Sequence, residues 1–196
     1  MHKYLTERRL ARLKSALRQR QFSLSVAIEN IHDPHNVSAI FRTCDAVGVP
    51  KVNLIYNTEK LPRISKVTSA SAFKWVSKQR FTTVEECFDH HKKEGFKIYS
   101  SLLDENSISL YDIDLTKKSL IVLGNENRGV SEEAIKLSDE TYYIPMRGMV
   151  QSLNVSVAAA VTLYEAQRQR LLKGMYDNTT LSDEEFDKLL DEWSER

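Results

Sequence analysis

The chain has 196 residues, 41% of them hydrophobic, and 28 Lys and Arg against 27 Asp and Glu leave a net charge of +1. That length suits one folded domain with appendages and is enough to bury a core, while no apolar run approaches the roughly 20 residues of a membrane span. Two cysteines, Cys44 and Cys87, form neither a disulfide framework nor a zinc set and suit a reducing cytoplasm, and no apolar stretch follows the basic N-terminus as it does in a signal peptide.

From the N-terminus, Leu10, Leu13 and Leu17 recur at helical spacing with Arg and Lys opposite, which predicts an amphipathic helix. Residues 1–20 carry Lys3, Arg8, Arg9, Arg12, Lys14, Arg18 and Arg20 against Glu7 alone. Such an arm can bind phosphate although the whole chain is nearly neutral. Strands are predicted at 24–29, 51–56, 96–101, 119–123 and 141–144, and helices at 36–47, 83–94, 131–138 and 153–172. The alternation implies an α/β fold, a mostly parallel sheet with helices on both faces. In the helix at 36–47, Val37, Ile40, Phe41, Cys44 and Val47 share a core face, so Cys44 is expected to be a buried thiol. Ser38, Arg42 and Asp45 share another face, where Asp45 lies one turn from Arg42 and is placed to orient it. Asn36 is the expected N-cap and Gly48 the stop.

Residues 57–80 have no clear period. Lys66–Ala72 is small and polar, and Phe73-Lys74-Trp75 adds two rings and a charge. A mobile loop and a short packed helix both remain open there. His90-His91 lies in a charged helix and is expected to face solvent. Near the C-terminus, Ser182 and Glu185 form a capping box ahead of an apolar stripe of Phe186, Leu189, Leu190 and Trp193. Seven acids over 181–196 face only Lys188 and Arg196. The expected organisation is a basic helical extension over 1–20, a central domain over 21–175 and an acidic helical extension over 176–196, with Asn178-Thr179-Thr180 as linker.

Only Gly48 precedes Gly95, whereas Gly124, Gly129 and Gly148 all fall in the second half. A Rossmann-type site needs a glycine-rich turn after the first strand, so a ligand site here is expected from late loops. Three polar clusters stand out. The first is Asn36-Val37-Ser38-Ala39-Ile40-Phe41-Arg42-Thr43-Cys44-Asp45-Ala46-Val47-Gly48. The second, Leu123-Gly124-Asn125-Glu126-Asn127-Arg128-Gly129-Val130, ends an apolar strand. The third runs from Ile144-Pro145-Met146 to Ser152-Leu153-Asn154-Val155-Ser156 and enters a small-residue helix. A loop running into a helix start offers unpaired backbone N–H groups beside polar side chains. Ser152 has no His and Asp partners of the hydrolase kind, and no His, Cys, Asp and Glu spacing resembles a metal site.

In order and spacing the three clusters resemble motifs 1, 2 and 3 of the SpoU branch of the SPOUT RNA methyltransferases, over about Leu24 to Arg170. The resemblance implies a C-terminal trefoil knot, although knots are otherwise nearly absent from proteins, and a cytoplasmic homodimer that builds each site across two subunits. It implies S-adenosyl-L-methionine (AdoMet) as cofactor, no metal, and methylation of a tRNA ribose 2′-hydroxyl, with guanosine 18 of the D-loop as expected target. Alternatives are a ribosomal RNA target, the tRNA wobble nucleotide, or a non-catalytic RNA-binding protein on the same fold. By carry-over the catalytic set is Arg42, Asn36, Glu126, Ser152 and Asn154. Cofactor contacts are Ser101, Gly124, Asn125, Glu126, Asn127, Arg128, Ile144, Met149, Ser152 and Leu153. Expected RNA contacts are Arg8, Arg9, Arg12, Arg18, Arg20, His35, Arg168 and Arg170. Arg42 matches an arginine proposed as general base with an RNA phosphate. A guanidinium gives up its proton only above about pH 12, so fixing that phosphate and stabilising the developing alkoxide is the other role open to it.

Overall fold

The computed structural model describes residues 5–62 and 72–196. Seven strands form one sheet in the order β3-β2-β1-β6-β4-β7-β5, and every pairing between them is parallel. β1 (Leu24–Glu29) and β6 (Ser119–Leu123) lie at the centre, buried along their whole length. That is why they read as continuous apolar runs. β2 (Lys51–Ile55) and β3 (Ser77–Phe81) extend one side; β4 (Lys97–Ser101), β7 (Glu140–Tyr143) and β5 (Ile108–Ser109) extend the other.

Alternate strand residues serve two cores. Val26, Ile28, Ile121 and Leu123 pack under α2 (Pro34–Ala46) and α5 (Val155–Leu172), against Phe41, Ala159 and Leu163. Ala27, Leu120 and Val122 face α3 (Val84–Lys93) and α4 (Glu132–Leu137), against Phe88 and Ala134. The alanines of α5 let it lie close to α2. α1 (Glu7–Arg18) and α6 (Asp183–Ser194) pack on each other through Leu13, Leu17, Leu190 and Trp193, and the Ser182–Glu185 capping box forms as expected. Cys44 is fully buried.

Several expectations are corrected. α2 starts earlier: Asp33 is its N-cap and accepts from the His35 amide at 2.8 Å, with Pro34 in the first turn. That frees the Asn36 side chain for another partner. His91 does not face solvent. It is 2% exposed, and its Nδ1 lies 2.8 Å from the Cys87 carbonyl while its Nε2 approaches Asn53 and Ser25 across the sheet. Burial is the first cause holding its pKa below the usual range. In the open stretch, Lys66–Ser71 lie outside the described residues, but Ala72–Lys74 forms a short 3₁₀ turn that packs on the body. Phe73 meets Phe41 at 4.3 Å and Trp75 meets Trp193 at 5.2 Å between ring centres. β3 follows at once, an unexpected strand of sequence SKQRF; polar edge strands carry no alternating signal.

Candidate active site

The C-terminal ends of the parallel strands open on one side of the sheet, the usual place for a ligand in such a fold. After β6 the chain folds back on itself. The Asn125 amide donates to the Gly129 carbonyl at 2.9 Å and the Gly129 amide returns to the Asn125 carbonyl at 2.8 Å. Two glycines permit this turn. Gly129 has a φ of +70°, which favours glycine. A Cβ on Gly124 would stand 2.1 Å from the Gly129 backbone, so no side chain fits there. Within the turn the Asn125 Oδ1 accepts from the Asn127 and Arg128 amides at 3.0 and 3.2 Å, and its Nδ2 donates to the Asn30 carbonyl at 2.7 Å.

The turn presents the Glu126 carboxylate to the start of α2. Its Oε1 accepts from Asn36 Nδ2 at 2.9 Å and from the Asp33 amide at 3.0 Å, and its Oε2 from the His32 amide at 3.1 Å. Partial burial pushes the carboxyl up, but the bonds from Asn36, His32 and Asp33 together outweigh it and hold the pKa below the ordinary carboxylate range. An ionised carboxylate only accepts, so Asn36 must turn its NH₂ toward it. Its Oδ1 then accepts from Asn154 Nδ2 at 3.1 Å. Asn154 in turn directs its Oδ1 to the Ser156 and Val157 amides at 2.8 and 3.4 Å as the N-cap of α5. One chain of hydrogen bonds, Asn154 to Asn36 to Glu126, thus ties the three sequence clusters together.

Beside it lies a cavity of about 490 Å³, within the range of small-molecule sites. It is walled by the strand ends at Ser101–Leu103, 123–129 and 143–146, and by the entry to α5. Ile144, Leu153 and Leu123 give it apolar surface; Ser101, Ser152, Gln151 and the 124–128 turn give polar groups. A flat heterocycle and a charged tail both find suitable walls. Nine of the ten expected cofactor residues line it. Met149 does not: it is 97% exposed, within a stretch over 147–150 that is exposed throughout.

Arg42 is exposed on α2 and is not part of that wall. Asp45 does not orient it. Asp45 instead pairs with Arg20, which is 3% exposed and also donates to the Val49 carbonyl at 3.3 Å. Arg20 is therefore buried rather than on the open surface, and so is Arg170. Arg170 is fully buried and donates to the Leu115, Ser23 and Lys117 carbonyls, Gln21 Oε1 and Ser23 Oγ at 2.8–3.2 Å. Its guanidinium staples the end of α5 to the loops before β1 and β6. Arg8, Arg9, Arg12, Arg18, His35 and Arg168 are exposed, with Arg168 held by Glu165 through two bonds of 2.8 Å.

Tyr143, Met146 and Gln151 also line the cavity: Met146 and Gln151 belong to the third cluster without having been assigned a contact, and Tyr143, the last residue of β7, lay just ahead of it. Sequence reasoning passed over Asn30. This residue directly follows β1 with a φ of +51°, and its Oδ1 accepts from the amides of Asn57, Thr58 and Glu59 at 3.1–3.2 Å. Asn is among the few residues that tolerate this conformation. The loop it holds brings Glu59 to Arg128 at 2.9 Å.

Comparison with known proteins agrees with this architecture. The model of the SpoU rRNA Methylase family matches residues 23–164. The tRNA (guanosine(18)-2′-O)-methyltransferase of Thermus thermophilus is 47% identical over 188 residues, 96% of this chain and 96% of its own. The crystal structure of the A. aeolicus TrmH/SpoU tRNA modifying enzyme superposes with a TM-score of 0.90 at 42% identity, covering 96% of each chain. The SpoU methyltransferase AviRb from Streptomyces viridochromogenes, solved in complex with AdoMet, superposes with a TM-score of 0.68 at 27% identity, covering 79% of this chain and 59% of that one.

Proposed function

The chain belongs to the SpoU rRNA Methylase family, and we propose that it methylates the ribose 2′-hydroxyl of guanosine 18 in tRNA. The observation that carries this is the Asn154–Asn36–Glu126 chain closing one side of a cofactor-sized cavity, in a chain that matches a relative named for that reaction over nearly its full length.

AdoMet supplies a methyl group on a sulfonium, a strong electrophile. Its place is the cavity, with Ile144 and Leu153 against the adenine and the polar groups of Ser101, Ser152 and the 124–128 turn around the rest. The chain's own residues then have three tasks. Glu126, Asn36 and Asn154 hold the strand-end loop, α2 and α5 in one geometry, so that the acceptor hydroxyl meets the methyl in line. Ser152 lies on the cavity wall and is available to that hydroxyl. Arg42 fixes the RNA phosphate beside the reacting ribose and stabilises the alkoxide as its proton leaves.

Arg42 stands outside the cavity of its own chain, which favours a homodimer whose sites draw on two subunits. Leu103, Met149, Val150, Val157, Tyr164, Leu171 and Leu172 are exposed apolar residues of the kind that such an interface would cover. The same proposal includes the knotted C-terminal segment, helical extensions over 1–20 and 176–196 flanking the 21–175 catalytic domain, and a cytoplasmic location. Among the described residues no helix is long and apolar enough to cross a membrane. The exposed Arg8, Arg9, Arg12, Arg18, His35 and Arg168 are the proposed tRNA contacts.

The test is incorporation of label from methyl-labelled AdoMet into an unmodified tRNA transcript. The proposal predicts incorporation by the wild type and a loss on the order of a hundredfold or more in Arg42→Ala. Labelling of a ribosomal RNA fragment but not of tRNA would overturn the substrate assignment.

A further inference from the structure

A second cavity, of about 550 Å³, lies between α1, α6 and the C-terminal end of α2. It shares no residue with the first. Three arginines line it, Arg9, Arg12 and Arg20, against one acid, Asp45. Asp45 is already neutralised by Arg20, and among the described residues no acid pairs with Arg9 or Arg12. The Arg20 guanidinium stacks over the Trp193 ring at 5.0 Å, and among the described residues its Nε–H has no partner. Trp75 meets Trp193 on the same wall, and Gln19 and Gln167 add amides that both donate and accept.

Arg9 and Arg12 beside the half-buried Trp75 suit single-stranded nucleic acid, where rings stack on bases and arginines track phosphates. We propose that this cavity holds an unpaired nucleotide of the RNA substrate, its base against the half-buried Trp75 and its phosphate on Arg9 and Arg12. The proposal rests on the RNA-methyltransferase reading above and adds a base-binding slot to it. α2 links the two places: Asn36 is in the catalytic chain and Asp45 on the cavity wall, about 14 Å apart along the helix at 1.5 Å per residue. One RNA strand can span both.

The chain has only two tryptophans, and both line this cavity, so intrinsic emission reports on it directly. The full-length protein is titrated with an unmodified tRNA transcript while binding and methyl transfer are followed in parallel. The expected result is tryptophan quenching in step with binding, little quenching by heparin, a polyanion without bases, and about tenfold weaker tRNA binding in Trp75→Leu, the scale of one lost base stack. Arg12→Gln reduces both binding and its salt dependence. AdoMet affinity, which belongs to the other cavity, serves as the fold control for both variants. Tight tRNA binding and methyl transfer with unchanged emission, or equal quenching by heparin, overturn the slot and leave the enzymatic reading intact. Absence of both tRNA binding and methyl transfer overturns the enzymatic reading, and the slot with it.

Discussion

Asn36 donates its side-chain amide to the Glu126 carboxylate at 2.9 Å, joining residues 90 positions apart in sequence. Because a carboxylate cannot donate, this bond sets which end of the Asn36 amide faces Asn154, and so sets the N-cap of α5. Orientation passes from one loop to the next through a single side chain.

Asn36→Asp tests that relay. It sets a second carboxylate against Glu126 and removes the donor, while volume hardly changes. Like charges at this distance cannot both ionise freely, so the strand-end turn and α2 separate. Misplacement of about an ångström at a reacting centre costs on the order of a hundredfold. Single-turnover methyl transfer should fall by that order, whereas circular dichroism should remain that of a folded protein. Wild-type rates in this variant would remove the relay from the account.

The lowered pKa of Glu126 makes a signed prediction for stability. A carboxyl whose folded pKa lies below its unfolded value, roughly 4.3, stabilises the fold fully above that value. The contribution fades as pH falls through the ordinary carboxylate range and is gone below the folded pKa. Urea melts of the wild type and Glu126→Gln should therefore differ most near neutral pH and converge in acid as the pH falls below the folded pKa. A difference that widens on acidification would contradict the assigned hydrogen bonds.

Gly124→Ala should be severe for a residue of one extra methyl. Its Cβ would meet backbone atoms 2.1 Å away, and backbone cannot step aside as a side-chain tip can. A loss of at least about 2 kcal/mol of stability, with weaker AdoMet binding, is expected by thermal melting and calorimetry. A neutral outcome would mean that the 124–129 turn is not as drawn.

Much of this was legible in the chain, and the exceptions have physical reasons. β1 and β6 matched their expected limits because a strand buried on both faces must be apolar along its length. β3 was missed because an edge strand of Ser, Lys, Gln and Arg carries no such demand. Asn36 was recognised as important for the wrong local reason: the Asp33-Pro34 start already caps α2, and only tertiary contact reveals the bond to Glu126. Arginines were the least readable. Arg168 and Arg170 sit two residues apart on one helix, yet one is exposed and the other fully buried. A helix turns about 200° over two residues, so neighbours of one type face opposite surroundings.

The arginine contrast is itself testable. Burial depresses Arg170 to about 10, and its guanidinium satisfies five acceptors inside the protein. Arg170→Ala should cost about 3 kcal/mol or more by leaving those groups unpaired, seen as a lower urea midpoint. Arg168→Ala should leave the midpoint nearly unchanged and weaken tRNA binding instead. The opposite pattern would reverse their assigned roles.

Nucleotide mapping shows which ribose of the tRNA receives the methyl group. An unmodified tRNA transcript is incubated with the protein and labelled AdoMet, digested, and sequenced by mass spectrometry. The account predicts one 2′-O-methylguanosine, at position 18. Label on a base, or on another ribose, would contradict it.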